Sequence, residues 1–193
     1  MEHTIVSVPE KATGQDRAVV IPRAGGLVVA LADGAGGASN GALAAQAVVD
    51  VAVRGDPADV ILACDEHLRN VGLTTAIIVH VRADAVSGAS VGDSAAWLID
   101  GEVIDLTEHQ RRKPLVGGGC VPVVFHSERP LGTATLLVAS DGLFSYAAAA
   151  DIARIVRAGR DLRETADTLV ELVRLPSGGL QDDVTIVLCR AHG

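Results

Sequence analysis

Residues 73–106, LTTAIIVHVRADAVSGASVGDSAAWLIDGEVIDL, decide the fold. The stretch is rich in Val, Ile and Ala and is broken at short intervals by Gly, Asp and Ser. It reads as successive strands over LTTAIIVHV, AVSGASV and SAAWLI. Asp100-Gly101 is a hairpin signal leading into EVIDL. Connections this short leave no room for crossover helices, so neighbouring strands run antiparallel. On the N-terminal side lie three more strands, HTIVSV, RAVVIP and GLVVALA, bounded by Gly and Pro. An alanine-rich helix follows from Gly41 to Val53, with Ser39 or Asn40 as its N-cap. Gly55-Asp56-Pro57 breaks it, and Pro57 starts a second helix running to about Val71. On the C-terminal side ATLLVAS is a buried strand, helices follow over about 147–158 and 161–174, and VTIVLCR is the last strand. Residues 107–130, with three consecutive glycines, read as one long irregular stretch. Pairs of helices set between runs of antiparallel strands specify an α+β layered domain, not a doubly wound one.

The 193 residues suit one domain, residues 1–193, large enough for a sizeable core. Hydrophobic residues make up 49% and aromatic residues 2%, so Val, Leu, Ile and Ala must fill that core. Mean hydropathy is +0.36, yet no apolar run approaches the ~20 residues needed to span a bilayer. The segment MEHTIVSVPEK has no basic region followed by an apolar stretch, and so no secretory signal. The expectation is a cytoplasmic protein with no membrane contact. A net charge of −8 argues against a nucleic-acid surface, which needs clustered Lys and Arg. The three cysteines fit neither a disulfide framework nor a zinc pattern. Cys64 and Cys189, in apolar runs, read as buried thiols, and Cys120, after Gly117-Gly118-Gly119, reads as exposed. Trp97 and Tyr146 are expected in or near the core. Five of the six histidines, His3, His67, His80, His126 and His192, read as packing or surface residues.

Four aspartates stand where an apolar strand meets a glycine or a second acid: Asp33, Asp93, Asp141 and Asp182. If they converge on one sheet edge, their carboxylates repel one another unless a cation neutralises them. Asp-Gly alone is a common turn dipeptide. The ordered set says more. Lys11 with Gln15-Asp16 is followed by Asp33-Gly34-Ala35-Gly36-Gly37, Leu73-Thr74-Thr75-Ala76 and Val91-Gly92-Asp93-Ser94. Then come Leu106-Thr107-Glu108-His109, Ala139-Ser140-Asp141-Gly142-Leu143 and Asp182-Asp183-Val184-Thr185. In composition and order this series resembles the PPM family, the metal-dependent type-2C serine/threonine protein phosphatases, in its compact bacterial form.

The resemblance implies an antiparallel β-sandwich flanked by helical layers, with two Mg²⁺ or Mn²⁺ ions at one end. Asp33 would bridge the ions, the Gly34 carbonyl would bind one, and Asp141 and Asp182 would complete the other. Asp93 with Asp141 would hold a third ion. Asp16 would orient water, and Lys11 would bind the substrate phosphate. Asp16, Asp33, Asp141 and Asp182 are thus the expected catalytic set, and metal-activated water would hydrolyse phosphoserine or phosphothreonine. No Cys-x5-Arg or Asp-x-Asp-x-Thr motif offers a phospho-enzyme route.

Three positions depart from the family pattern. Lys11 stands where arginine is usual, which keeps the charge and loses the bidentate fork; it is either the phosphate anchor or a solvated surface residue. Ala35 replaces a histidine that can protonate the leaving group, and Ala95 replaces an arginine. The flap beside the site, about residues 109–130, is short. Its Arg111-Arg112-Lys113 run either meets an acidic or phosphorylated partner or is a solvated basic patch, the second reading being slightly favoured. The expected partner is a phosphorylated protein, a serine/threonine kinase or one of its targets, met by a monomer. One variant is a stress-response phosphatase acting on a sigma-factor antagonist. The competing reading is a pseudophosphatase, a binding module without turnover, although such proteins typically lose the metal acids that persist here.

Overall fold

The computed structural model describes residues 1–35 and 40–191. Gly36, Gly37, Ser39 and His192, each singled out from the sequence, lie outside the described residues. The chain opens with three strands, β1 (Glu2–Val8), β2 (Arg17–Arg23) and β3 (Gly26–Ala32), and a two-residue β4 (Gly34–Ala35). Helices α1 (Gly41–Val51) and α2 (Pro57–His67) follow, then β5 (Leu73–Thr74), β6 (Ala76–Arg82), β7 (Val86–Val91), β8 (Ala95–Ile99) and β9 (Val103–Asp105). The remainder is β10 (Val123–Ser127), β11 (Thr135–Ala139), α3 (Asp141–Phe144), α4 (Ala149–Ala158), α5 (Leu162–Leu172) and β12 (Val184–Arg190).

Two five-stranded sheets result, ordered β1-β12-β11-β8-β9 and β10-β7-β6-β3-β2, and every pairing in them is antiparallel. Side chains alternate faces along a strand, and here both faces are covered. Leu27, Val29 and Leu31 of β3 meet Leu136 and Val138 of β11 between the sheets. Val28, Ala30 and Ala32 pack instead on Ala44, Val48 and Ile61 of α1 and α2. On the other side Leu137, Ile186 and Leu188 pack on Ile152, Ala166 and Leu169 of α4 and α5. This explains the near-continuous apolar runs of β3, β11 and β12. Each fully buried Leu or Ile contributes about 2–3 kcal/mol of transfer free energy. The α+β sandwich flanked by helical layers is therefore the observed fold. Among the described residues no helix is long and apolar enough to cross a membrane.

Local signals place the helix starts. Asp56 caps α2, its side chain accepting from the Ala58 N–H at 3.0 Å with Pro57 in the first turn. Asp161 caps α5 by accepting from the Glu164 N–H at 2.9 Å. Asn40 is the N-cap of α1, its carbonyl accepting from the Ala44 N–H at 2.9 Å, but its side chain makes no capping bond and its Nδ2 donates to the Val71 carbonyl at 2.7 Å.

Several expectations need correction. The 107–130 stretch is not wholly irregular: β10 adds to the edge of β7, with Phe125 facing Gly88. LTTAIIVHV is two strands, split at Thr75. Helix α2 stops at His67, short of Val71, and Asn70 then takes a positive φ of 62°. The short α3 was not expected. Cys120 is buried, at 5% exposure, and Tyr146 is 42% exposed, each the reverse of its expectation.

Candidate metal centre

The strand ladders bring the four aspartates to one end of the sandwich. Asp33 leaves the end of β3, Asp93 sits in the β7–β8 turn, Asp141 begins α3 after β11, and Asp182 precedes β12. Register holds these ends level. Ala139 is opposite both Ala95 and Ile186, Ala76 is opposite Val91, and Leu31 is opposite Ile77. Ligand oxygens of Asp33, Asp93 and Asp141 all lie within 4.8 Å of one another. Asp182 is outside this close set but lines the same cleft, whose volume is about 430 Å³.

The electrostatics are those of acids gathered without a counter-charge. Burial raises the Asp33 carboxyl to about 9, and the charges of Asp16, Asp141 and Asp182 add to the effect. Asp141 is also raised, by burial and then by Asp93 and Asp182. Asp16, 5% exposed, has no hydrogen bond to either carboxylate oxygen. Burial raises it to about 6, and the hydroxyls of Ser140 and Thr185 offset only part of that. Those hydroxyls are engaged elsewhere. Ser140 Oγ accepts from the Thr185 N–H at 3.0 Å, and Thr185 Oγ1 lies 2.8 Å from Ser7 Oγ. Clustered oxygen-only donors, two half-buried and two exposed, that repel one another suit a hard divalent cation such as Mg²⁺ or Mn²⁺. The residues present fit the ions that the sequence led us to expect.

Backbone contacts fix Asp33. The Asp33 N–H donates to Thr75 Oγ1 at 2.9 Å, while the Asp33 carbonyl accepts from the Thr75 N–H and from Thr74 Oγ1, both at 2.8 Å. Thr75 Oγ1 is also 3.0 Å from Ser94 Oγ, next to Asp93. The Thr74-Thr75 pair thus couples two of the acid-bearing turns. Gly92 adopts φ +114°, and a Cβ there would lie 2.6 Å from the Thr75 side chain. A Cβ on Gly142 would come within 2.0 Å of the Asp183 carbonyl oxygen, so only glycine lets α3 close on the strand that follows Asp182.

Two residues that matter to the cleft carry no signal of their role in the sequence. Asp183 accepts from the Glu10 N–H at 2.7 Å and the Gln15 N–H at 2.5 Å. It ties the β1–β2 loop to the start of β12 and sets Lys11 on the cleft wall, where Lys11 Nζ lies 2.9 Å from Glu10 Oε2. Asp65 of α2, 3% exposed, accepts through one oxygen from the N–H groups of Gly117, Gly119 and Cys120 at 2.8, 3.0 and 3.0 Å. Burial opposes its ionisation, but the three donors hold its carboxyl below the ordinary value. The spacing of 52 to 55 residues between donors and acceptor hides this contact from any local reading. Arg112 and Lys113 line the cleft, and so does Ala35, which contributes no polar side chain. Ala95 is buried at the start of β8.

No family model matches the sequence, and no curated protein matches it either. Solved structures do match. A bacterial serine phosphatase superposes with a TM-score of 0.84 at 20% identity, covering 100% of this chain and 98% of its own. The serine/threonine phosphatase Stp1 from Staphylococcus aureus gives 0.83 at 20% identity, with coverage of 100% and 95%. RsbX in complex with magnesium gives 0.79 at 19% identity, with coverage of 96% and 92%. The chain has the fold of the bacterial serine/threonine phosphatases from end to end.

Proposed function

We propose that this chain is a Mg²⁺- or Mn²⁺-dependent phosphatase that hydrolyses phosphoserine and phosphothreonine in proteins. The observation that carries the reading is the meeting of Asp33, Asp93 and Asp141 within 4.8 Å at the strand ends of this fold. The magnesium in the RsbX structure gives it further support. Asp33, the Gly34 carbonyl, Asp141 and Asp182 would hold two cations, and Asp93 with Asp141 a third. When bound, such ions polarise a phosphoryl oxygen and lower the pKa of water.

The chain's own residues supply the rest. Asp16, buried against Asp33 with its carboxyl raised to about 6, can take up a proton beside the cluster as pH falls below neutral. Lys11 offers a point charge to the substrate phosphate from the cleft wall. Ala35 presents no acid to the leaving oxygen, so a proton must reach that atom from solvent in the open cleft. A protein nucleophile has no support here. The Cys120 thiol is pushed up to about 12 by burial and by Asp65, and Thr75 and Ser94 share their hydroxyls with each other.

The test is hydrolysis of an aryl phosphate and a phosphothreonine peptide with Mn²⁺, Mg²⁺ or EDTA, beside Asp33→Asn. Turnover that requires the ion and falls at least ~100-fold in Asp33→Asn is expected. Turnover in EDTA equal to that in Mn²⁺ would overturn the reading. Peptide binding without turnover would assign a binding module instead.

A further inference from the structure

The segment after β9 is fixed at both ends of its basic run. Gln110 Nε2 donates to the Ser94 carbonyl at 2.7 Å, and the Gly92 N–H donates to the Arg111 carbonyl at 2.9 Å. Val116 then exchanges hydrogen bonds with Thr74 at 3.0 and 3.2 Å, and the Asp65 cradle holds Gly117 to Cys120. Between these anchors Arg112 and Lys113 line the cleft that also holds the clustered aspartates. Among the described residues their side chains form no ion pair and no hydrogen bond with those acids. Two cations on a fixed backbone, facing a cleft and left unneutralised, form a surface whose main chain is already ordered, leaving only side-chain rotamers to be fixed on binding. In a chain of net charge −8 they offset part of the negative charge that the cleft's acids present to an anion.

We propose that this wall docks acidic phosphopeptides, with Arg112 and Lys113 pairing with carboxylates that flank the phosphorylated residue. The inference rests on the phosphatase reading of the same cleft and names its preferred substrate. Two partly exposed pairs of this kind amount to about a tenfold preference at low salt.

The experiment compares two fluorescent phosphothreonine peptides of equal length, one flanked by Asp and Glu and the other by Gln. Wild-type kcat/KM is expected to favour the acidic peptide about tenfold in 20 mM salt and about twofold in 0.5 M salt. In Arg112→Gln/Lys113→Gln the ratio should fall to near one, and in Arg112→Glu/Lys113→Glu it should drop below one. Unchanged melting of both variants, read by Trp97 fluorescence, shows that they fold. A wild-type ratio near one, or a ratio unmoved by either variant, overturns the proposal. If neither peptide is turned over, the phosphatase reading fails, and anisotropy of the same peptides decides the docking question alone. An acidic preference lost in the variants then supports it, and equal affinities overturn it.

Discussion

Replacing Asp33 by Asn should make the metal-free protein more stable while abolishing its response to metal. The Asp33 carboxyl is raised from 3.8 to about 9. The sign follows from linkage. A folded-state value above the unfolded one favours folding fully below 3.8, and that advantage is lost as pH climbs toward 9. At pH 7.5 the difference of nearly four pH units from 3.8 corresponds to a cost of about 5 kcal/mol. The Asn carboxamide is desolvated as well and still faces Asp16, so roughly 2–4 kcal/mol should be recovered. For a chain of this size that is a rise of about 5–12 °C in Tm. Calorimetry in EDTA should show the variant melting higher at pH 7.5, with the gap shrinking to about a third at pH 5. Millimolar Mn²⁺ should raise the wild-type Tm and leave that of the variant in place. If Asp33→Asn melts at or below wild type in EDTA from pH 5 to 8, burying the Asp33 carboxyl among the other acids carries no cost and the reasoning fails.

Other substitutions separate the supports of the cleft. Gly142→Ala forces a Cβ against the Asp183 carbonyl, which should cost about 2 kcal/mol, or 4–8 °C, in a thermal melt, and weaken Mn²⁺ binding in a titration. Asp183→Ala frees the Glu10 and Gln15 amides; with Lys11 no longer held on the cleft wall, KM for a phosphopeptide should rise about tenfold with kcat changed less than threefold. Asp65→Ala leaves three backbone donors without their buried acceptor. A loss of about 3–5 kcal/mol by denaturant titration is expected, against about 1–2 for Asp65→Asn, which keeps an acceptor oxygen. Because the Asp65 carboxyl is held below 3.8, its contribution is present above that pH and is lost only on stronger acidification, which a melt of wild type against Asp65→Asn from pH 3 to 7 can follow.

The sandwich was readable because its central strands are buried on both faces, which writes continuous aliphatic runs such as GLVVALA and TLLVA into the sequence. Strand β10 was not. In VVFHS only Phe125 is buried while Val124 is 66% exposed, so neither alternation nor a solid run marks it. Its pairing with β7 is a long-range event with no local sign. The strand-end aspartates showed through their Asp-Gly and Asp-Asp contexts. Which of Asp182 and Asp183 faces the acids, and which holds the Lys11 loop, depends on β12 register and is invisible in a doublet. Cys120 follows three glycines, a context that reads as exposed, yet the Asp65 cradle draws it inward. The basic run has no local sign of its place, which the contacts of Gln110 and Arg111 set by bringing Arg112 and Lys113 to the cleft.

Gathering carboxylates at one end of a fold is tolerated only where stability comes from somewhere else. Here the aliphatic layers do that. Leu136, Val138, Val29 and Ile77 lie between the sheets, and Ile61 and Leu169 pack the helices against them. None of these side chains lines the cleft. The ladders then carry rigidity to the strand ends, so the acids are held in place by pairings such as Ala139 with Ile186 and, for Asp33, by its backbone bonds to Thr74 and Thr75. A site mounted this way keeps its acids together, at the cost of a proton on Asp33, until a cation takes that proton's place. A loop-borne site would relax by moving its acids apart. That difference is why Asp33→Asn should stabilise this protein when metal is absent instead of leaving its stability unchanged.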